Sequence, residues 1–155
     1  FQSFSFFALI IFVSLKNGNM KRISCVLLVD DCEVDNLIHY HIISRSGIAD
    51  RIQVSNGGLN AFNFLRRSYS MSKSFPELIF VDVNMPMMGG FEFKSKLESL
   101  FFTEAGKSSI VFLTNMDSSE IRDSWLKDCD EIRVIQKPLT EEKLARVLEE
   151  DFLFS

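Results

Sequence analysis

The chain has 155 residues, 46% of them hydrophobic and 25% charged. That is the size and balance of one globular domain, and it excludes general disorder. A net charge of −4 with a pI near 5.2 excludes the broadly basic face of a nucleic-acid-binding domain.

Residues 1–19, FQSFSFFALIIFVSLKNGN, stand apart: five Phe, a single charge at Lys16, and no methionine before Met20. The apolar run Phe4–Leu15 is shorter than the roughly 20 residues that a spanning helix needs. It lacks the basic start and small-residue cleavage site of a signal peptide. The segment is expected to be a non-domain extension, as upstream or appended sequence with Met20 the natural start. A membrane-surface or partner-binding segment and a cleaved targeting piece are the other readings. The domain is assigned to residues 20–155.

From Met20 the chain alternates apolar runs with helical patterns. Ile23–Val29 is a nearly continuous β-branched and Leu run, as in a strand buried on both faces. Glu33–Arg45 places Val34, Leu37, Ile38 and Ile42 on one helical stripe, expected to face the core. Gly47 ends that helix. Arg51–Ser55 reads as a second strand, broken by Asn56-Gly57-Gly58. Leu59–Tyr69 follows as a helix, with Leu59, Phe62 and Leu65, and with Ala61 beside them, on its inner face. Glu77–Val81 is a third strand, and Asp82–Gly90 is an irregular loop holding Pro86 and Gly89-Gly90. Phe91–Phe102 is a helix and Ser109–Leu113 a fourth strand. Asp117-x-x-Glu120 forms a capping box opening a helix that reaches about Lys127. Ile132–Ile135 is the fifth strand. Pro138 breaks it, and Thr140 caps a last helix with Leu144, Val147 and Leu148 inward. The series is (βα)5, an α/β fold with a doubly wound, five-stranded parallel sheet covered on both faces.

Ligands of such sheets bind outside the carboxyl ends of the strands. Asp30-Asp31 ends the first strand, Asp82 the third, Thr114 the fourth and Lys137 the fifth. Three carboxylates, a hydroxyl and an ammonium therefore meet on one rim. Crowded carboxylates in a partly dry cleft are costly, and a hard divalent cation such as Mg²⁺ relieves the repulsion. Cation, lysine and hydroxyl suit phosphoryl transfer, with one carboxylate as the nucleophile. Asp82 enters the Gly-containing loop and is the candidate; Asp30 and Asp31 are the metal pair. Taken singly, each has a plainer reading: a helix cap for Asp30-Asp31, an Asx-turn for Asp82, a strand-end hydroxyl for Thr114, a surface charge for Lys137. His39 and His41 sit two apart and share no helix face, so a metal role is not assigned. Cys25, Cys32 and Cys129 form no CxxC pair and read as reduced thiols.

The set LLVDD, FVDVNMPMMGG, FLTN and IQKP, with Asp82 51 positions after Asp31, Thr114 32 further on and Lys137 another 23 on, resembles the receiver domain of two-component response regulators, over about residues 20–150. The resemblance implies a flavodoxin-like receiver fold. It implies that Asp82 accepts a phosphoryl group from a histidine kinase or a histidine phosphotransfer protein. Asp31, Asp82 and the backbone carbonyl of Asn84 would ligate Mg²⁺, with Asp30 bound through water. Lys137 would contact the phosphoryl group, its bond to Pro138 being cis, and Thr114 would act as the switch. Asn84 and Met116 would flank the water that ends the phosphorylated state. The first helix would belong to the kinase surface, displaying Asp35, Asn36, His39 and Tyr40.

Two departures bear on the readout. Val134 stands where the family usually carries Tyr or Phe, so the usual aromatic coupling to Thr114 is absent. Asn115 stands where the family often has a small residue. The reading is a single-domain, cytoplasmic response regulator that signals by protein–protein contact with an unidentified target. Its chemistry is confined to its own phosphorylation and dephosphorylation, so it is not read as an enzyme. No nucleic-acid or membrane partner is expected, and a homodimer stays open. The alternative is a pseudo-receiver, an interaction module of the same fold independent of phosphorylation. A hydrolase with an aspartyl-phosphate intermediate would need a further carboxylate two residues after Asp82, where Asn84 stands.

Overall fold

The computed structural model describes residues 6–72, 74–117, 119–120 and 132–153. Helix α1 (Phe6–Lys16) leads into strand β1 (Ile23–Val29), followed by α2 (Glu33–Ser46), β2 (Ala49–Ser55), α3 (Gly58–Ser72) and β3 (Leu78–Asp82). Then come α4 (Gly90–Leu100), a single turn α5 (Phe102–Ala105), β4 (Ser109–Thr114), β5 (Arg133–Gln136) and α6 (Glu141–Leu148), which runs into a π-helical turn over Glu149–Leu153. All strand pairings are parallel. The order β2-β1-β3-β4-β5 is the doubly wound sheet expected. The chain leaves β1 for β2 on one side and then crosses to β3 on the other. The order thus reverses at β1 and β3, and a crevice opens at their carboxyl ends.

Strand alternation divides the core into two layers. Val26, Leu28, Phe80, Val111 and Leu113 face Ile43 of α2 and Leu144 and Leu148 of α6. Leu27, Val29, Ile79, Val81 and Phe112 face Phe62 and Leu65 of α3 and Phe93 and Leu97 of α4. Burying each such side chain contributes about 1.5–3 kcal/mol. This double burial is why the central strands read as continuous apolar runs. Of the segment set apart from the domain on sequence, residues 6–16 form α1, and Ile11 is buried in the layer that holds Leu144 and Leu148.

Helix α2 is where the expected pattern fails. Val34 and Leu37 are 63% and 68% exposed, while Asn36 and His39 are 4% and 1% exposed. Ile38 is also exposed, and Ile42 is only partly buried. The inward face is Asn36, His39 and Ile43. The reason lies at the top of the sheet, where β1 and β2 end and leave carbonyls to satisfy. Asn36 Nδ2 donates to Asp30 O at 2.9 Å and approaches Asn56 Oδ1 at 3.3 Å. An apolar residue there would leave buried acceptors unpaired, which costs more than one exposed aliphatic. Asn36 and His39 are therefore not part of the displayed surface. In α3, Leu59 also turns out to be exposed, and Ala61, Phe62 and Leu65 face inward.

The capping expectations hold. The Lys143 amide donates to Thr140 Oγ1 at 3.2 Å. Asp117 Oδ1 accepts from the Glu120 amide at 3.0 Å, and Glu120 Oε2 accepts from the Asp117 amide at 3.2 Å. The rest of that helix, to Lys127, and Cys129 lie outside the described residues. The expected helix over 91–102 is interrupted at buried Phe101, which separates α4 from α5.

Gly90 starts α4 directly under the end of β3. A Cβ there would lie 2.6 Å from Asp82 O and 3.1 Å from Val83 Cα, both backbone atoms. Gly90→Ala should therefore destabilise the fold by about 1–3 kcal/mol through forced backbone shifts. Urea unfolding checks this: the midpoint should fall, and an unchanged midpoint would show that the approach is looser than described.

Candidate functional site

The rim is built by strand ends. Asp30 directly follows β1, and Asp82 is the last residue of β3. The Val81–Val29 pairing sets the two ends side by side. Thr114 ends β4, and its carbonyl accepts the Lys137 amide at 2.7 Å. The Lys137–Pro138 bond is cis. Asp30, Asp31 and Asp82 each offer an oxygen within 4.8 Å of the others. Asp30 and Asp82 are buried and Asp31 is exposed, so the cluster opens to solvent on one side.

Lys137 balances this charge from the opposite wall. Its Nζ lies 2.6 Å from Asp30 Oδ2, 2.9 Å from Asp35 Oδ2 and 3.4 Å from Asp82 Oδ2. Its side chain is 4% exposed. Burial works against its charge, but the hydrogen bonds to Asp30 and Asp35 and the charge of Asp82 outweigh it and raise its pKa. The Asp82 pKa is raised as well, which for a carboxylate disfavours the charged form. Burial, then the charge of Asp30, raise it from 3.8 to about 6 against the pull of Lys137. The Asn84 amide donates to Asp82 Oδ1 at 3.3 Å, and the Cys32 amide to Asp30 Oδ1 at 2.9 Å.

Every residue expected on the rim from sequence is there. Asp30, Asp31 and Asp82 are in mutual reach, and Lys137 reaches Asp30 and Asp82. Thr114 is fully buried at the β4 end, and its Oγ1 accepts the Met116 amide at 3.1 Å. Met116 is half-buried, and Asn84 and Asn115 are exposed. Val134 is half-buried on β5, in register with Phe112. Asp35 was expected only on the helix surface, yet it closes on Lys137. The signal was available: four residues after Asp31, in the first turn of a helix starting at the rim, it points back over that rim. His39 lies under the site, and burial lowers its pKa.

The donor set consists of hard oxygens, two of them buried, with one ammonium for several carboxylates. Such a set fits Mg²⁺ and leaves no soft ligand for a thiophilic metal. Among the described residues no helix is long and apolar enough to cross a membrane.

The fold and site together are those of an α/β domain whose doubly wound parallel sheet carries an acidic cluster and an opposing lysine at its switch point. The family profile for the response regulator receiver domain matches residues 26–149, and the chain belongs to that family. A two-component response regulator from Cytophaga hutchinsonii is 26% identical with a TM-score of 0.72, covering 84% of this chain and 97% of that one. The chemotaxis protein CheY4 of Vibrio cholerae is 25% identical with a TM-score of 0.64, covering 83% and 98%. The probable methanogenesis regulatory protein FilR2 of Methanothrix harundinacea (strain 6Ac) is 25% identical over 125 residues, 81% of this chain and 79% of that protein.

A raised Asp82 pKa links folding to pH. The folded form binds the proton more tightly than the unfolded chain, so this contribution to stability is full below 3.8 and is lost as pH rises through about 6. Without divalent cation, wild type should therefore lose stability relative to Asp82→Asn between pH 4 and 7. Paired urea titrations at both pH values test it; parallel curves would rule the linkage out.

Proposed function

We propose that the protein is a receiver that takes a phosphoryl group onto Asp82 from a histidine kinase or a histidine phosphotransfer protein, in a Mg²⁺-dependent reaction. The observation that carries this is the convergence of Asp30, Asp31, Asp82 and Lys137 at the switch point. Bound Mg²⁺, held by Asp31, Asp82 and the Asn84 carbonyl with Asp30 through water, would neutralise charge at the transferring group. The ionised Asp82 carboxylate attacks phosphorus as the donor's P–N bond breaks, and the imidazole leaves. Lys137 follows the new oxygens from its place 3.4 Å from Asp82 Oδ2. Thr114, one residue beyond the β4 partner of Asp82, supplies a hydroxyl that can turn from the Met116 amide to the phosphoryl group. That is a local charge event biasing a two-state element. With Val134 half-buried in place of an aromatic ring, the readout runs through the β4–β5 ends themselves.

The surface beside the rim suits docking of the donor. Val34, Leu37 and Ile38 are exposed on α2. Leu37 and Tyr40 line a shallow groove of about 210 Å³ with Val54 and Asn56. We read the protein as cytoplasmic, with Cys25 and Cys32 as free thiols. Its output is contact with another protein and its only chemistry is its own phosphorylation cycle. It is not an enzyme on a separate substrate.

Acetyl phosphate with Mg²⁺ provides the test. Mass spectrometry should find one added phosphoryl group on wild type and none on Asp82→Asn. Folded wild type without an adduct would instead favour the phosphorylation-independent module, for which Val134 and Asn115 speak.

Lifetime gives a second prediction. Met116 flanks the site with an apolar side chain that cannot orient water. Met116→Glu should speed acyl-phosphate loss several-fold, read by the decay of the adduct after donor removal. Equal or slower decay would show that this position does not govern the attacking water.

A further inference from the structure

Lys137 has one partner that a cation does not claim. Asp30 Oδ2 and Asp82 Oδ2 both face its ammonium, yet both residues belong to the three-carboxylate group whose oxygens lie within 4.8 Å of one another. Asp35 is outside that group, although its Oδ2 lies 2.9 Å from Lys137 Nζ. A lysine side chain has four rotatable bonds and strong hydration, and it keeps one place only where its partners hold it. Drawing Asp30 and Asp82 towards a divalent cation weakens two of its three anchors.

We propose that Asp35 is a positioning residue: its ion pair keeps the Lys137 ammonium beside Asp82 when a divalent cation engages Asp30, Asp31 and Asp82. This rests on the reading of Asp82 as the phosphoacceptor. The placement supports it. Asp35 sits in the first turn of α2 with its side chain 28% exposed, while the lysine end of the pair is 4% exposed. The pair thus has one foot on the helix and one inside the site. Asp35 makes no bond to phosphorus and acts only through Lys137. A role limited to an acidic residue at a helix start would stabilise α2 through its dipole and leave the lysine untouched.

The lysine itself is the first readout. In ¹⁵N-lysine NMR of the full chain, the Lys137 ammonium signal should survive saturation with Mg²⁺ alone in wild type and in Asp35→Glu. It should broaden beyond detection on Mg²⁺ addition in Asp35→Ala. Loss of the signal in wild type, or its survival in Asp35→Ala, overturns the proposal. The second readout is the rate of phosphorylation by acetyl phosphate at saturating Mg²⁺, which should drop about five- to tenfold in Asp35→Ala. It should drop less in the isosteric Asp35→Asn, which also serves if the alanine variant folds poorly. In a Lys137→Gln background the Asp35→Ala change should cost nothing further; a drop of the same size there overturns the proposal. An adduct on wild type with an unchanged Asp35→Ala rate defeats this inference alone. A folded wild type that takes no phosphoryl group defeats the phosphoacceptor reading and this inference with it.

Discussion

The ammonium of Lys137 is the counterweight on which the site depends. Four carboxylates, Asp30, Asp31, Asp35 and Asp82, approach one another at the top of the sheet, and three of them lie within 3.4 Å of that single cation. In a dry interior such a cluster would protonate or push the strand ends apart. Burial and the charge of Asp30 keep the Asp82 pKa elevated against the pull of Lys137, and the cluster of hard oxygens fits a divalent cation. Incomplete neutralisation leaves negative charge at the switch point, which a divalent cation would offset.

The scaffold holds that tension by backbone contacts more than by side chains. The Lys137 amide bonds to Thr114 O, the Val83 amide to Leu113 O, and the Gly90 amide to Val83 O. The first two bonds tie the β3, β4 and β5 ends to one another, and the third ties the start of α4 to the end of β3. Glycine at position 90 lets α4 begin in contact with the Asp82 carbonyl, and Gly58 does the same for α3 against the Met88 carbonyl. The helix starts are packed close beneath the loops that carry the reactive groups. Asp82 is thereby tied to the β4 end and to the turn in which the Met116 amide donates to Thr114 Oγ1.

The strands, their parallel order and the rim were legible in the chain because they follow from local pattern. Ile23–Val29 read as a strand buried on both faces and Glu77–Val81 as a third strand, and an aspartate follows each run. The helices were legible in extent but not in orientation. Val34, Leu37 and Ile38 form as good a stripe as any inward face, yet α2 turns Asn36 and His39 to the sheet because unpaired carbonyls there outweigh apolar burial. Asp35 was read only as part of the displayed surface: its place in the first turn hinted at the rim, but its pairing with Lys137 follows from the rotation of α2, which periodicity does not set. Residues 1–19 offered no periodic link to the domain, so the burial of Ile11 against α6 had no sequence signal.

By itself the sequence determined which residues meet at the rim, since carboxylate, hydroxyl and lysine stand at strand ends and strand ends share one edge of a parallel sheet. It also determined the alternation of strand and helix, because hydrophobic period is a local property. Only the tertiary structure decided how the charges divide among partners, which face of α2 is outside, and that Asp35 joins Lys137. Those outcomes depend on competition between groups far apart in the chain for the same ammonium and the same buried carbonyls, and that competition exists only once the sheet has brought them together.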